Sequence, residues 1–303
     1  MPSELNRMTT TDDLLAKIKV IEARAKQRRT QEVLPSPSPI TPTPAQVITL
    51  PFWPEAVRAV PNGVLRSALF GAIRRGPRRY MERERIAALE GIEIFYTGQR
   101  LDQGDLDIWE MILHIARLQN LGNECRTTAY QLLKATGKAD TGGNREVLHI
   151  RLMRLKATSI EIEQGRYGYA GSLIDEVYRD KETREYVFRI NPKLRTLFES
   201  DQFTLVDWAI RRELDGKPLA QWLHGFYASH AKPYPASVAK LHELTGSEAG
   251  ELWKFAQTLR KNLNELVKAS EIHGQPFSYE IRDDLVHVEK QASRAQRRYL
   301  AKK

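Results

Sequence analysis

The sequence predicts an α+β protein, mostly α, with tandem winged-helix domains behind a disordered N-terminal leader. Each domain would be a helix-turn-helix completed by a β-hairpin wing. Three observations carry this reading. A word ending in Thr-Gly occurs twice, as Leu132-Leu133-Lys134-Ala135-Thr136-Gly137 and as Leu241-His242-Glu243-Leu244-Thr245-Gly246. Each copy leads through a helix-like stretch to a second shared word, Leu155-Lys156-Ala157-Thr158-Ser159-Ile160 and Val267-Lys268-Ala269-Ser270-Glu271-Ile272. Alternating apolar segments with turn residues between them then close each copy. A short helix, a turn, a long helix and a strand follow one another in a helix-turn-helix with a wing.

Composition agrees with this. The 303 residues suffice for two domains, and 41% apolar residues support real cores. A net charge of +9 and a pI near 9.5 favour a polyanionic partner. The lone Cys125 excludes an intrachain disulfide or a CxxC metal site and suits a reducing compartment. No apolar run approaches the ~18 residues of a membrane span, and residues 1–20 lack a signal-peptide core. A soluble cytoplasmic protein with no membrane partner is expected.

The leader spans 1–45. Within it Thr11-Asp12-Asp13 resembles a helix start, with Leu14, Ile18, Ile21 and Ala25 at helical spacing. Pro35, Pro37, Pro39, Pro42 and Pro44 then make an extended spacer. Residues 46–85 combine an apolar peptide with a basic stretch. Gly71, Gly76 and Pro77 interrupt that stretch, so an irregular arm is expected there. The first winged-helix domain occupies 86–192. It has a strand at Ile92–Tyr96, an amphipathic helix over 104–119, helices at about 127–136 and 144–157, and a strand at Ser159–Glu163. A turn at Gln164-Gly165-Arg166 leads to a hairpin partner, and Tyr186–Ile190 ends the unit. The second domain occupies 193–290, with helices across 193–214 and 219–230. Its hairpin joins Tyr279–Ile281 to Leu285–Val288 through a tight turn at Asp283-Asp284. Residues 291–303 form a basic tail.

The second long helix carries the sharper functional signal. Leu252, Ala256, Leu259, Leu263 and Leu266 fall on one stripe, and Lys254, Gln257, Lys261, Asn264 and Lys268 fall opposite it with no acid among them. Lys neutralises phosphates, and Gln or Asn reads base edges in the major groove. On the first long helix Arg145, His149 and Lys156 flank the Leu148, Leu152 and Leu155 stripe, with Arg151 and Arg154 on the other flank. Val147, Ile150 and Met153 widen its apolar surface, which suggests work shared between DNA and a second protomer. Arg166 and Arg282, at the hairpin turns, complete the candidate DNA contacts.

Catalytic signatures are missing. Leu132 stands where GxxxxGK needs its first glycine, and Gly246 stands where HExxH needs its second histidine. His287 has no histidine beside it, and Asp102, Asp105 and Asp107 fit a turn and a helix start. No enzyme activity, cofactor or metal is expected.

Several segments resemble the TrfA-type replication initiators of broad-host-range plasmids. They are Pro51-Phe52-Trp53-Pro54-Glu55-Ala56-Val57-Arg58-Ala59-Val60-Pro61-Asn62, Arg66-Ser67-Ala68-Leu69-Phe70, Tyr96-Thr97-Gly98, Ser229-His230-Ala231-Lys232-Pro233-Tyr234-Pro235 and Asp283-Asp284-Leu285-Val286-His287. The likeness covers about residues 46–290. It implies two winged-helix domains that bind repeated sites (iterons) in double-stranded origin DNA and open the adjacent duplex. It also implies recruitment of the host sliding clamp, helicase and initiator proteins, and a dimer that dissociates to bind DNA and so limits copy number. Relatives carry a clamp-binding peptide just before the Trp-Pro segment. Here Gln46, Ile48, Leu50 and Phe52 occupy that region, with spacing that departs from the family form, and docking of this linker onto the first domain is the competing reading. A transcriptional regulator would use the same modules on a palindromic operator, whereas iterons are direct repeats.

Overall fold

The computed structural model describes residues 11–31, 49–74, 76–118 and 124–301. The Pro-rich spacer, with Gln46 and Ile48, lies outside them. By contact the chain divides into two units, Met1–Gln46 and Val47–Lys303. The first holds helix α1 (Thr11–Gln31), with Leu15, Ile18 and Ile21 exposed.

The second unit opens with β1 (Val57–Pro61), α2 (Asn62–Leu65), β2 (Phe70–Gly71) and β3 (Tyr80–Arg85). β4 (Ile92–Gln99) pairs antiparallel with β3, and β5 (Leu101–Asp102) pairs parallel with β2. The irregular basic arm expected before residue 86 is therefore corrected: much of it is built into sheets. Several of its arginines have found acids. Arg83 reaches Glu161 at 3.2 Å, Arg85 reaches Glu93 at 3.2 Å, and Arg78 pairs with Asp102. Helix α3 (Gln103–Ala116) starts from a reciprocal capping box, in which Asp102 and Asp105 each accept the other's backbone N–H at 2.9 and 3.0 Å.

Next come β6 (Glu124–Thr128), α4 (Ala129–Ala135), α5 (Gly142–Lys156), β7 (Ser159–Gln164), β8 (Tyr167–Gly171), β9 (Glu176–Arg179) and β10 (Glu185–Arg189). A 3-10 helix (Pro192–Phe198) leads into β11 (Phe203–Asp207) and α6 (Trp208–Glu213). β11 corrects the helical reading of 193–214. It pairs antiparallel with β1, Val57 opposite Asp207, so its partner lies far away in the chain. α7 (Pro218–Ala228), β12 (Ala236–Ser237), α8 (Val238–Leu244), α9 (Leu252–Ile272), β13 (Phe277–Arg282), β14 (Leu285–Lys290) and α10 (Arg294–Leu300) complete the chain.

The repeated Thr-Gly words have one physical cause. Thr136 and Thr245 cap the C-termini of α4 and α8, and Gly137 (φ 74°) and Gly246 (φ 59°) take the left-handed conformation that follows. The N–H groups of Lys138 and Ser247 then reach back to the carbonyls of Leu133 and His242. A Cβ on Gly246 would lie 3.1 Å from Ala68 Cβ and 2.6 Å from an Arg100 nitrogen, whereas one on Gly137 meets only the Arg212 side chain. Gly246→Ala is accordingly expected to cost about 1–2 kcal/mol in urea unfolding, and Gly137→Ala less.

The second shared word does not repeat so faithfully. In the first copy β7 begins at Ser159, but in the second α9 runs on through Ile272. The hairpins differ as well. In the second copy the sheet order is β12-β14-β13, so the strand before the short helix pairs with the final strand. In the first copy β6 stands where β12 does, and its order is β6-β10-β9. The counterpart of β13–β14 is thus β9–β10. The hairpin β7–β8 belongs to a separate sheet, β3-β4-β7-β8, where Ile94 faces Ile162 and both are buried.

Buried apolar residues form two clusters, one from Leu50 to Trp208 and one from Ile210 to Val288. Polar ties cross between them. Trp222 donates its indole N–H to the Ser67 carbonyl at 3.0 Å. Arg211, 1% exposed, sits 2.7 Å from Asp107 and 3.2 Å from Glu110. Burial pushes the Glu110 carboxyl up from 4.5 to about 7 against the pull of Arg211. A carboxyl raised on folding binds protons more tightly in the folded state, so its stabilising contribution is complete below pH 4.5 and lost as pH rises through about 7. Glu110→Gln should therefore gain stability over the parent at pH 8 and little at pH 4.5, read from urea midpoints at both values.

Candidate nucleic-acid interface

Helix α9 buries Phe255, Leu259, Leu263, Leu266 and Ala269. Leu252, the expected head of the stripe, is exposed, and Phe255 replaces it because 255, 259, 263 and 266 stay on one side of the helix. The opposite face exposes Lys254, Gln257, Lys261, Asn264 and Lys268. Trp253 and Arg260 share this face, which the charge pattern alone did not single out. Their spacing could have done so: 253, 257, 260 and 264 advance by i, i+4, i+7 and i+11.

Local contacts orient this face. The Tyr279 hydroxyl donates to Asn264 Oδ1 at 2.8 Å. Glu265 at its margin takes Lys217 at 2.6 Å and lies 3.6 Å from Lys268, so Lys268 is partly compensated. Lys254 and Lys261 line a cleft of about 900 Å³ between α9 and residues 72–74 and 216–219, where Arg74 and Lys217 face Glu248 and Glu265.

The basic face expected on α5 is largely spent within the protein. Arg151 Nη1 lies 2.5 Å from Asp102 and 2.8 Å from Asp105, and Arg154 Nη1 lies 2.8 Å from Asp105. Both side chains are nearly buried, so their assignment to DNA is corrected: they anchor α5 to the start of α3. Burial opposes ionisation of Asp102, but Arg151 and Arg78 hold its carboxyl below the ordinary range. Arg145 is exposed and bidentate to Asp140 at 2.6 and 2.7 Å, and His149 lies 3.3 Å from the Tyr186 hydroxyl. Lys156 is exposed, as are Val147 and Ile150.

At the hairpins, Arg166 is exposed but occupies the β7–β8 turn, outside the counterpart of the second hairpin. Arg179, Lys181 and Arg184 are exposed at β9–β10 instead. Arg282 pairs with Glu280, next to the two-residue turn formed by Asp283 (φ 48°) and Asp284 (φ 60°). Glu280, Asp283 and Asp284 thus flank Arg282 at this tip.

Of the candidate clamp peptide, Leu50 is 4% exposed inside the first cluster, while Phe52 is 78% exposed. Leu50 is thereby corrected from partner contact to core residue. Trp53 beside it is buried, its indole N–H donating to His114 Nδ1 at 2.9 Å. Among the described residues no cluster of His, Cys, Asp and Glu is placed to hold a metal ion, and no helix is long and apolar enough to cross a membrane.

The TrfA protein family matches this chain over residues 9–290. The plasmid replication initiator protein TrfA of Escherichia coli is 27% identical over 246 residues, covering 78% of this chain and 63% of that protein. RepFIB replication protein A of Salmonella typhi is 26% identical over 192 residues, covering 60% of this chain and 59% of that protein. The chain thus spans roughly six-tenths of the length of these curated relatives. Domains 2 and 3 of RctB share the fold with a TM-score of 0.53 at 13% identity, covering 76% of this chain and 98% of that one.

Proposed function

Because the chain belongs to the TrfA family of plasmid replication initiators, we propose that it binds direct-repeat iterons in double-stranded origin DNA through α9. In this reading the two helix-turn-helix units are winged-helix domains, and α9 lies in the major groove of the second. The observation that carries it is the exposed α9 face, where Lys254, Gln257, Lys261 and Asn264 stand together and the marginal acid Glu265 is taken up by Lys217. Lysines supply the sequence-independent attraction, and amides supply base readout.

The wider role follows the family. The bound protein opens the adjacent duplex and brings the host helicase, initiator and sliding clamp to the origin. Phe52 is the exposed apolar anchor for a partner pocket. Val147 and Ile150 on α5 suit a second protomer, so that a dimer in the cytoplasm gives way to the DNA-binding monomer and copy number is limited. The protein acts by binding and needs no catalysis or cofactor of its own.

Footprinting on the DNA flanking its gene tests this. Protection of direct repeats at one face of the helix supports the reading. Protection confined to an inverted repeat in a promoter would make the protein a transcriptional regulator, and strand cleavage with a divalent metal would make it a nicking enzyme.

A further inference from the structure

Four of the five tryptophans are buried and place the indole N–H in a hydrogen bond. Trp53 donates to His114 at 2.9 Å, Trp109 to the Leu173 carbonyl at 3.0 Å, Trp208 to the Ala135 carbonyl at 3.3 Å and Trp222 to the Ser67 carbonyl at 3.0 Å. Trp253 is the exception. It is 58% exposed, and among the described residues its N–H meets no acceptor. It stands in the first turn of α9, on the strip that also carries Gln257 and Asn264. The Lys254 ammonium lies 5.3 Å from its ring centroid, an attraction that favours holding the ring beside the lysine. Leu252 next to it is also exposed.

We propose that Trp253 reads sequence, packing its ring against the C5-methyl group of a thymine so that the protein selects a T·A pair there. The proposal rests on α9 being the groove-reading helix. The thymine methyl is the apolar feature that the four bases offer in the major groove. Residues at the N-terminal end of a groove-reading helix are those that reach base edges. A solvated indole at that end gains burial when the duplex arrives. The flanking groups fit the same geometry: Lys254 suits a phosphate, and the Gln257 and Asn264 amides suit adenine.

The test uses the full chain and a duplex it enriches from a random-sequence pool. Each thymine of that duplex is replaced in turn by deoxyuridine, which keeps every hydrogen-bonding group and lacks only the methyl. For the parent protein, one position or two adjacent ones should lose about fourfold in affinity, the worth of one buried methyl group. Trp253→Ala should bind the unmodified duplex more weakly and ignore that replacement, while Trp253→Phe keeps part of the sensitivity. Because the ring is exposed, both variants should melt with the parent, which checks the fold. The same uracil losses in Trp253→Ala as in the parent would overturn the proposal, as would a parent site indifferent to every methyl. Failure to enrich any duplex would overturn the DNA reading itself, and this proposal with it.

Discussion

Arg211→Leu is expected to destabilise the protein by about 3–5 kcal/mol in urea unfolding. The guanidinium is almost wholly buried, with Nε 2.7 Å from Asp107 and 3.2 Å from Glu110 and Nη2 3.2 Å from the Gln103 carbonyl. Removing it leaves two carboxylates of α3 without their cation. The buried pair itself need not stabilise the fold over a well-packed apolar replacement; the cost comes from the orphaned charge. That distinction can be measured. Arg211→Leu combined with Asp107→Asn and Glu110→Gln should recover a large part of the loss, because no acid is then left unpaired. A single-variant loss below about 1 kcal/mol would mean that the orphaned carboxyls are solvated by water or take up protons.

Parts of this fold were legible because their causes are local. The Thr-Gly words mark helix ends because a left-handed glycine is needed there, and a capping box at Asp102 and Asp105 is written within a few residues. The alternation of Ile92–Tyr96 and the stripe on α9 are likewise short-range. β1 and β11 escaped because each is defined by the other across the chain, and neither alternates strongly enough alone. The hairpin exchange escaped for a related reason. Ser159–Gly171 looks like a wing, and only its pairing with β4 shows where it belongs.

The site divides in the same way. A face of Lys, Gln and Asn on a helix is visible in sequence, and the structure exposes that face on α9. Whether an arginine is available is not visible, since Arg151 and Arg154 are consumed by acids from the start of α3, dozens of residues upstream. Asp102 and Asp105 are legible as a helix start, but nothing local says that they also hold another helix. Trp253 and Arg260 are readable from helical spacing, since they fall two turns apart on the strip of Gln257 and Asn264.

The contrast between free and consumed cations gives the second large effect. Each lysine that neutralises a phosphate contributes about 0.9 to the slope of log affinity against log salt. Lys254→Gln with Lys261→Gln should therefore flatten that slope by about 2 and lower affinity roughly 60-fold at 0.1 M salt relative to the parent, the difference vanishing toward 1 M. The loss should be similar on specific and unrelated duplexes, because phosphate contacts carry no sequence. Gln257→Ala should do the opposite, narrowing the ratio between specific and unrelated duplexes while leaving the slope in place. Arg151→Ala provides the control, since its side chain is committed to Asp102 and Asp105: stability should fall, and the salt slope of the folded fraction should not move. An unchanged slope in the double lysine variant would place the phosphates elsewhere on the molecule. The exposed Arg179, Lys181 and Arg184 of the β9–β10 hairpin would then be the next cations to neutralise.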